Sequence, residues 1–231
     1  MNTVKVIGFD ADDTLWENGS YFREAETAFC ALLSKYMPEP ELIQELFRIE
    51  MNNMKWYGYG AMAYTLSLIE TSIHVSRGQV PASVIGEILE LGRSLLSAPI
   101  KLFPGVNEVL PILYEKYRLI VVTKGDLLDQ ERKLEKSGLL PFFHHIEVVS
   151  EKCESNYLHL TEVLDIQPHE FLMVGNSLKS DVLPVLAIGG KAVHVPYEIV
   201  WQHESAEKPV TPYIELASLA DLPGILLKGT I

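Results

Sequence analysis

Three things are scarce in this 231-residue chain. There are only two cysteines, Cys30 and Cys153, far apart and in no CxxC pattern. That excludes a disulfide scaffold or a cysteine zinc site, and two reduced thiols suit a cytoplasmic protein. Lys and Arg number 19 against 31 Asp and Glu, a net charge of −12, with no basic cluster. A general nucleic-acid binder needs basic residues to neutralise phosphates, so no nucleic-acid partner is expected. A small anion is still admissible, because one pocket can be positive on an acidic protein. No apolar run approaches the ~20 residues that span a bilayer, and the first, Val6 to Phe9, stops at Asp10. No membrane partner is expected, and monomer and homodimer are equally open. Repeats and low-complexity tracts are absent too.

Hydrophobic residues make up 48% of the chain, enough for a core without staples. Val4 to Phe9 predicts a buried strand. Apolar residues at steps of three or four then predict helices over about 20–36, Glu41–Met51, Tyr57–Ile73 and Ala82–Leu96. After Pro99 strands and helices alternate. Strands are expected at Arg118–Val122, Ile146–Val149, Phe171–Val174 and Lys191–Val195. Helices are expected at Asn107–Tyr117, Leu127–Ser137, Tyr157–Leu164 and Lys179–Ala187. The tail after Pro196 reads as mostly irregular. Alternation means an α/β fold, a Rossmann-like parallel sheet with helices on both faces. The all-helical block is an insertion expected to sit over the mouth of the sheet.

Four strand ends carry polar groups, where ligands bind in such folds. Asp10-Ala11-Asp12-Asp13-Thr14 follows the first strand; it suits a two-carboxylate site or an acidic turn capping a helix. Thr123-Lys124-Gly125 suits a phosphate oxygen or a helix N-cap. Lys152 follows the third strand, and by itself is as ordinary as a surface lysine. Gly175-Asn176-Ser177 with Asp181 follows the fourth.

Together, Asp-x-Asp-x-Thr, then Thr, then Lys, then Gly-Asn-Ser-x-x-x-Asp, each after a strand, resembles the haloacid dehalogenase superfamily of phosphotransferases. Phe103-Pro104-Gly105-Val106, Lys124-Gly125-Asp126 and Ile166-Gln167-Pro168-His169-Glu170 belong to the likeness. It covers essentially the whole chain, and the helical insert matches the group with an α-helical cap. The resemblance implies a core of residues 1–16 and 99–231 and a cap of residues 17–98. It implies Asp10 as nucleophile and Asp12 as general acid and base. Thr123, Lys124, Gly125 and Lys152 would hold the phosphoryl group. Mg²⁺ would be held by Asp10, the Asp12 carbonyl, Asn176 and Asp181. Most relatives have Asp where Asn176 stands, so this metal site carries one negative charge fewer. The implied activity is a Mg²⁺-dependent phosphatase on a small phosphorylated metabolite. A phosphomutase shares this residue set. A dehalogenase lacks the second Asp, and the asparagine keeps a non-catalytic binding protein open.

Overall fold

The computed structural model describes residues 3–227. Six strands form one sheet: β1 (Val6–Phe9), β2 (Arg118–Lys124), β3 (Ile146–Val149), β4 (Phe171–Gly175), β5 (Lys191–His194) and β6 (Ile214–Glu215). Their order is β3-β2-β1-β4-β5-β6, and every pair is parallel. The chain adds β2 and β3 on one side of β1, then returns to place β4 on the other. This reversal opens a crevice at the carboxyl ends of β1 and β4.

The central strands are apolar at successive positions because both faces are covered. One face sends Ile7, Phe9, Leu119, Val121, Leu172 and Val174 against α5 (Val106–Tyr114), α6 (Leu127–Ser137) and α9 (Leu222–Leu227), through residues such as Leu110, Leu134 and Leu222. The other sends Val6, Ile120, Val122, Phe171 and Met173 against Tyr157 and Leu160 of α7 (Glu154–Val163) and Val185 of α8 (Leu183–Ala187). The period of two thus survives as a choice of core.

The chain divides into two compact units. Of the described residues, one holds the sheet, with residues 3–19, 100–124 and 130–227; the other holds residues 20–99 with 125–129. The second is built on α1 (Gly19–Leu33), α2 (Glu39–Tyr57), α3 (Ala61–Val75) and α4 (Ala82–Ser97) around Phe29, Leu33, Leu42, Leu46, Leu68 and Ile88.

Three elements differ from the sequence reading. The helix expected from Glu41 to Met51 runs on to Tyr57, and the next starts only at Ala61. Gly58 and Gly60, at φ +66° and +105°, set that boundary, because positive φ is cheap only for glycine. The helix after the fourth strand opens as a π-turn at Leu178–Val182. The tail is less irregular than expected, contributing β6 and α9. A two-residue strand leaves no periodicity to read. Among the described residues no helix is long and apolar enough to cross a membrane.

Candidate active site

The β1–β4 register aligns Phe9 with Val174, and Asp10 N donates to the Val174 carbonyl at 2.9 Å. Asp10 therefore enters the crevice on rigid backbone. Its Oδ1 accepts from Lys152 Nζ at 2.5 Å and its Oδ2 from Thr14 Oγ1 at 2.9 Å. Lys152 also donates to Asp181 Oδ1 at 2.7 Å. The second Asp181 oxygen accepts from Ser177 N at 2.9 Å. Gly175 lies so close to Asp181 that any Cβ there would strike the carboxylate. Glycine is required here by space.

All three charged groups are buried. Burial pushes the Asp10 carboxyl up, to about 7; Lys152 opposes the shift and Asp181 adds to it. Burial alone would lower the Lys152 ammonium, but Asp10 and Asp181 outweigh it and hold it above its usual range. With both carboxylates ionised the trio carries a net −1, which suits an added cation.

The donors for such a cation are hard oxygens. Thr14 has one proton to give, yet Asp10 Oδ2 stands 2.9 Å from its hydroxyl and Asn176 Oδ1 3.3 Å. The two oxygens converge with lone pairs to spare, a set that fits Mg²⁺ rather than zinc. Among the described residues no three His, Cys, Asp or Glu side chains group around a common point. A cation here would rely on amide and carbonyl oxygens as well. His194, at the end of β5, braces the loop by contacting the Asn176 carbonyl at 2.9 Å.

Asp12 points to different partners: Trp16 Nε1 at 2.7 Å, Gln130 Nε2 at 2.8 Å and Lys133 Nζ at 3.1 Å. Asp13, the third acid of the motif, takes the capping role. It accepts from Asn18 N and Gly19 N at 2.8 Å each, at the start of α1. Burial pushes its carboxyl up to about 6, against the pull of those two N–H groups.

Thr123 is buried at the end of β2 with its hydroxyl on the Lys124 carbonyl at 3.2 Å. Gly125 turns the chain at φ +116°. Lys124 was expected at a phosphoryl group, but its ammonium is turned to Glu204 Oε1 at 2.5 Å and Ser180 Oγ at 3.0 Å. Ser177 and Ser180 donate to the other Glu204 oxygen at 2.5 and 2.6 Å. Burial works against the ionised Glu204, but Lys124 and the two hydroxyls hold its carboxyl down, to about 2.

Glu204, Gln130 and Lys133 were invisible to motif reading. Glu204 lies in the tail and left no signal. Gln130 and Lys133 had one, because polar residues three apart share a helix face.

A family model described as haloacid dehalogenase-like hydrolase matches residues 4–189. The mouse (Mus musculus) N-acylneuraminate-9-phosphatase is 25% identical over 241 residues, covering 98% of this chain and 95% of that protein. Glyceraldehyde 3-phosphate phosphatase of Methanopyrus kandleri is 26% identical over 187 residues, 78% of each chain. A solved haloacid dehalogenase-like family hydrolase from Xanthomonas campestris superposes with a TM-score of 0.89 at 38% identity, covering 98% of this chain and 92% of that one.

Proposed function

Because the chain belongs to the haloacid dehalogenase-like hydrolases, we propose that it is a Mg²⁺-dependent phosphatase that works through a phosphorylated Asp10. The observation that carries this reading is Asp10 buried between Lys152 and Thr14 at the β1–β4 crevice. Lys152 opposes the burial that favours the neutral acid, orients the attacking carboxylate, and is placed to balance charge on phosphoryl oxygens. Thr123 and the backbone at Gly125 serve the same oxygens. The Lys124 side chain instead serves Glu204. The core is residues 1–16 and 99–231, and residues 17–98 are the cap.

In the first step an Asp10 oxygen bonds to phosphorus, the ester P–O bond breaks, and Asp12 gives its proton to the departing alkoxide. In the second, Asp12 takes a proton from water, the water oxygen bonds to phosphorus, and the bond to Asp10 breaks. The Asp10 carboxylate, the Asp12 carbonyl and Asn176, with Asp181 behind them, would hold Mg²⁺, which when bound offsets the negative charge of the phosphoryl group.

The two named relatives point to a substrate class. N-acylneuraminate 9-phosphate and glyceraldehyde 3-phosphate both carry phosphate on a terminal carbon of an oxygenated chain. A small terminal alkyl phosphate of this kind is the proposed substrate. An alkoxide is a poor leaving group, which gives Asp12 its acid role. The test is hydrolysis of an aryl phosphate and a panel of such metabolites, with and without Mg²⁺, by the wild type and Asp10→Asn. Mg²⁺-dependent turnover lost more than about tenfold in a normally melting variant supports the reading. Retained turnover in Asp10→Asn contradicts it. Sugar-phosphate isomerisation would favour a mutase, and halide release from a haloacid a dehalogenase.

A further inference from the structure

The Asp12 carboxylate is enclosed by groups that can only donate. Trp16 Nε1 reaches Oδ1 at 2.7 Å, Gln130 Nε2 reaches Oδ2 at 2.8 Å, and Lys133 Nζ stands 3.1 Å from both. Four contacts fall on two oxygens, matching the acceptor capacity of the ionised carboxylate, the form Asp12 holds between its two proton transfers; in the acid form one of these contacts is released. Indole, amide NH₂ and ammonium fix the plane of the group from three directions.

Two features mark this as a built arrangement. Gln130 is 2% exposed, and its second N–H donates to the Lys124 carbonyl at 3.1 Å. Both neighbours are acceptors, so its amide can face only one way, and among the described residues its buried Oε1 meets no hydrogen-bond donor. An unmet buried acceptor is costly. Keeping it makes sense if the opposite end of the side chain has a task. Lys133 also donates to Asn18 Oδ1 at 3.1 Å, just before α1. Asn18 N is in turn held by Asp13.

We propose that Lys133, assisted by Gln130 and Trp16, is a positioning residue that sets the rotamer of Asp12 for proton delivery to the leaving group and ties it to the segment before α1. The inference rests on the acid role of Asp12 proposed above. A carboxylate 1 Å out of place still fills its space but misses the alkoxide. Removing Lys133 therefore slows esters whose leaving group needs the proton and largely spares aryl esters, which leave without one.

The experiment compares kcat and KM on an alkyl and an aryl phosphate for wild type, Lys133→Met, Lys133→Arg, Trp16→Phe and Asp12→Asn, with a melting curve for each. Lys133→Met is expected to lose more than about tenfold in kcat on the alkyl ester and less than about threefold on the aryl ester, with KM little changed. Lys133→Arg is expected to recover part of the alkyl rate. Trp16→Phe, which removes one N–H and keeps a ring, shows the same selectivity more weakly, and serves alone if Lys133→Met does not fold. If Asp12→Asn is selective for the alkyl ester but Lys133→Met and Trp16→Phe slow both esters equally or not at all, the positioning role is wrong and the acid reading stands. If Asp12→Asn itself is not selective, the acid reading fails and takes this inference with it.

Discussion

Asn176 carries the most specific chemistry at the scale of one residue. Its amide oxygen shares the Thr14 hydroxyl with Asp10. Asparagine and aspartate have nearly the same shape, so Asn176→Asp adds charge with little else. A unit charge about 4 Å from a dication in a partly screened site is worth at least about 1.4 kcal/mol, or roughly tenfold in binding. Asn176→Asp is therefore expected to lower the Mg²⁺ needed for half-maximal activity and to enlarge the Mg²⁺-induced rise in melting temperature. Unchanged values on both readouts would leave Asn176 as a turn residue and move the metal elsewhere. Asp10, Asp12, Thr123 and Lys152 could be picked from the sequence because together, each after a predicted strand, they match the motifs of one family; singly none of them could. Their partners could not. Lys133 lies 121 positions from the Asp12 it contacts, and Lys152 lies 142 from Asp10. Such pairings are set by how α6 and the β3 end fold back on β1, which no local pattern records.

Among the elements, the tail shows what a short segment can do. Trp201 to Glu204 has no periodicity, yet Glu204 joins the ends of β2 and β4 through Lys124, Ser177 and Ser180. Glu204→Gln removes the nearer of two carboxylates from Lys124, leaving Glu151 Oε1 at 3.7 Å, and should cost about 1–3 kcal/mol of stability. Replacing Lys124 with Met in the same chain should restore part of that loss. Urea unfolding of the two singles and the double variant measures the coupling, and strict additivity would show that the pair contributes nothing. The helix α2 offers a second case. Glu50 is half-buried, and loss of water around its carboxyl pushes it from an ordinary 4.5 to about 8, with Glu26 adding to the shift. Between those values the folded chain holds a proton that the unfolded chain has released. Stability contributed by this group therefore falls as pH rises through that window, by at most about 1.4 kcal/mol per pH unit. Glu50→Gln is neutral in both states and loses that slope. Its melting temperature should gain on the wild type between about pH 5 and about pH 8, and parallel curves would contradict the shift. The helix start expected at Tyr57 falls instead at Ala61, and Tyr57-Gly58-Tyr59-Gly60 is the turn between two helices that its glycines suit.

For the molecule as a whole, the fold class was legible because alternating strands and helices admit few arrangements. The strand order is what converts that class into a site. By returning β4 to the far side of β1, the chain brings the Asp10 loop beside the Asn176 loop, and Lys152 at the β3 end reaches both carboxylates. The sixth strand and the Glu204 brace were not legible, since both depend on contacts made only after the sheet is formed. The proposed reaction depends above all on a covalent bond between Asp10 and phosphorus. Acid quenching during turnover, followed by mass analysis of the intact protein and its peptides, tests this directly. The account predicts a chain heavier by one phosphoryl group, located on the peptide holding Asp10 and absent from Asp10→Asn. An active enzyme that never carries the phosphoryl group, including with slowly hydrolysed substrates, or one that carries it on another residue, would contradict it.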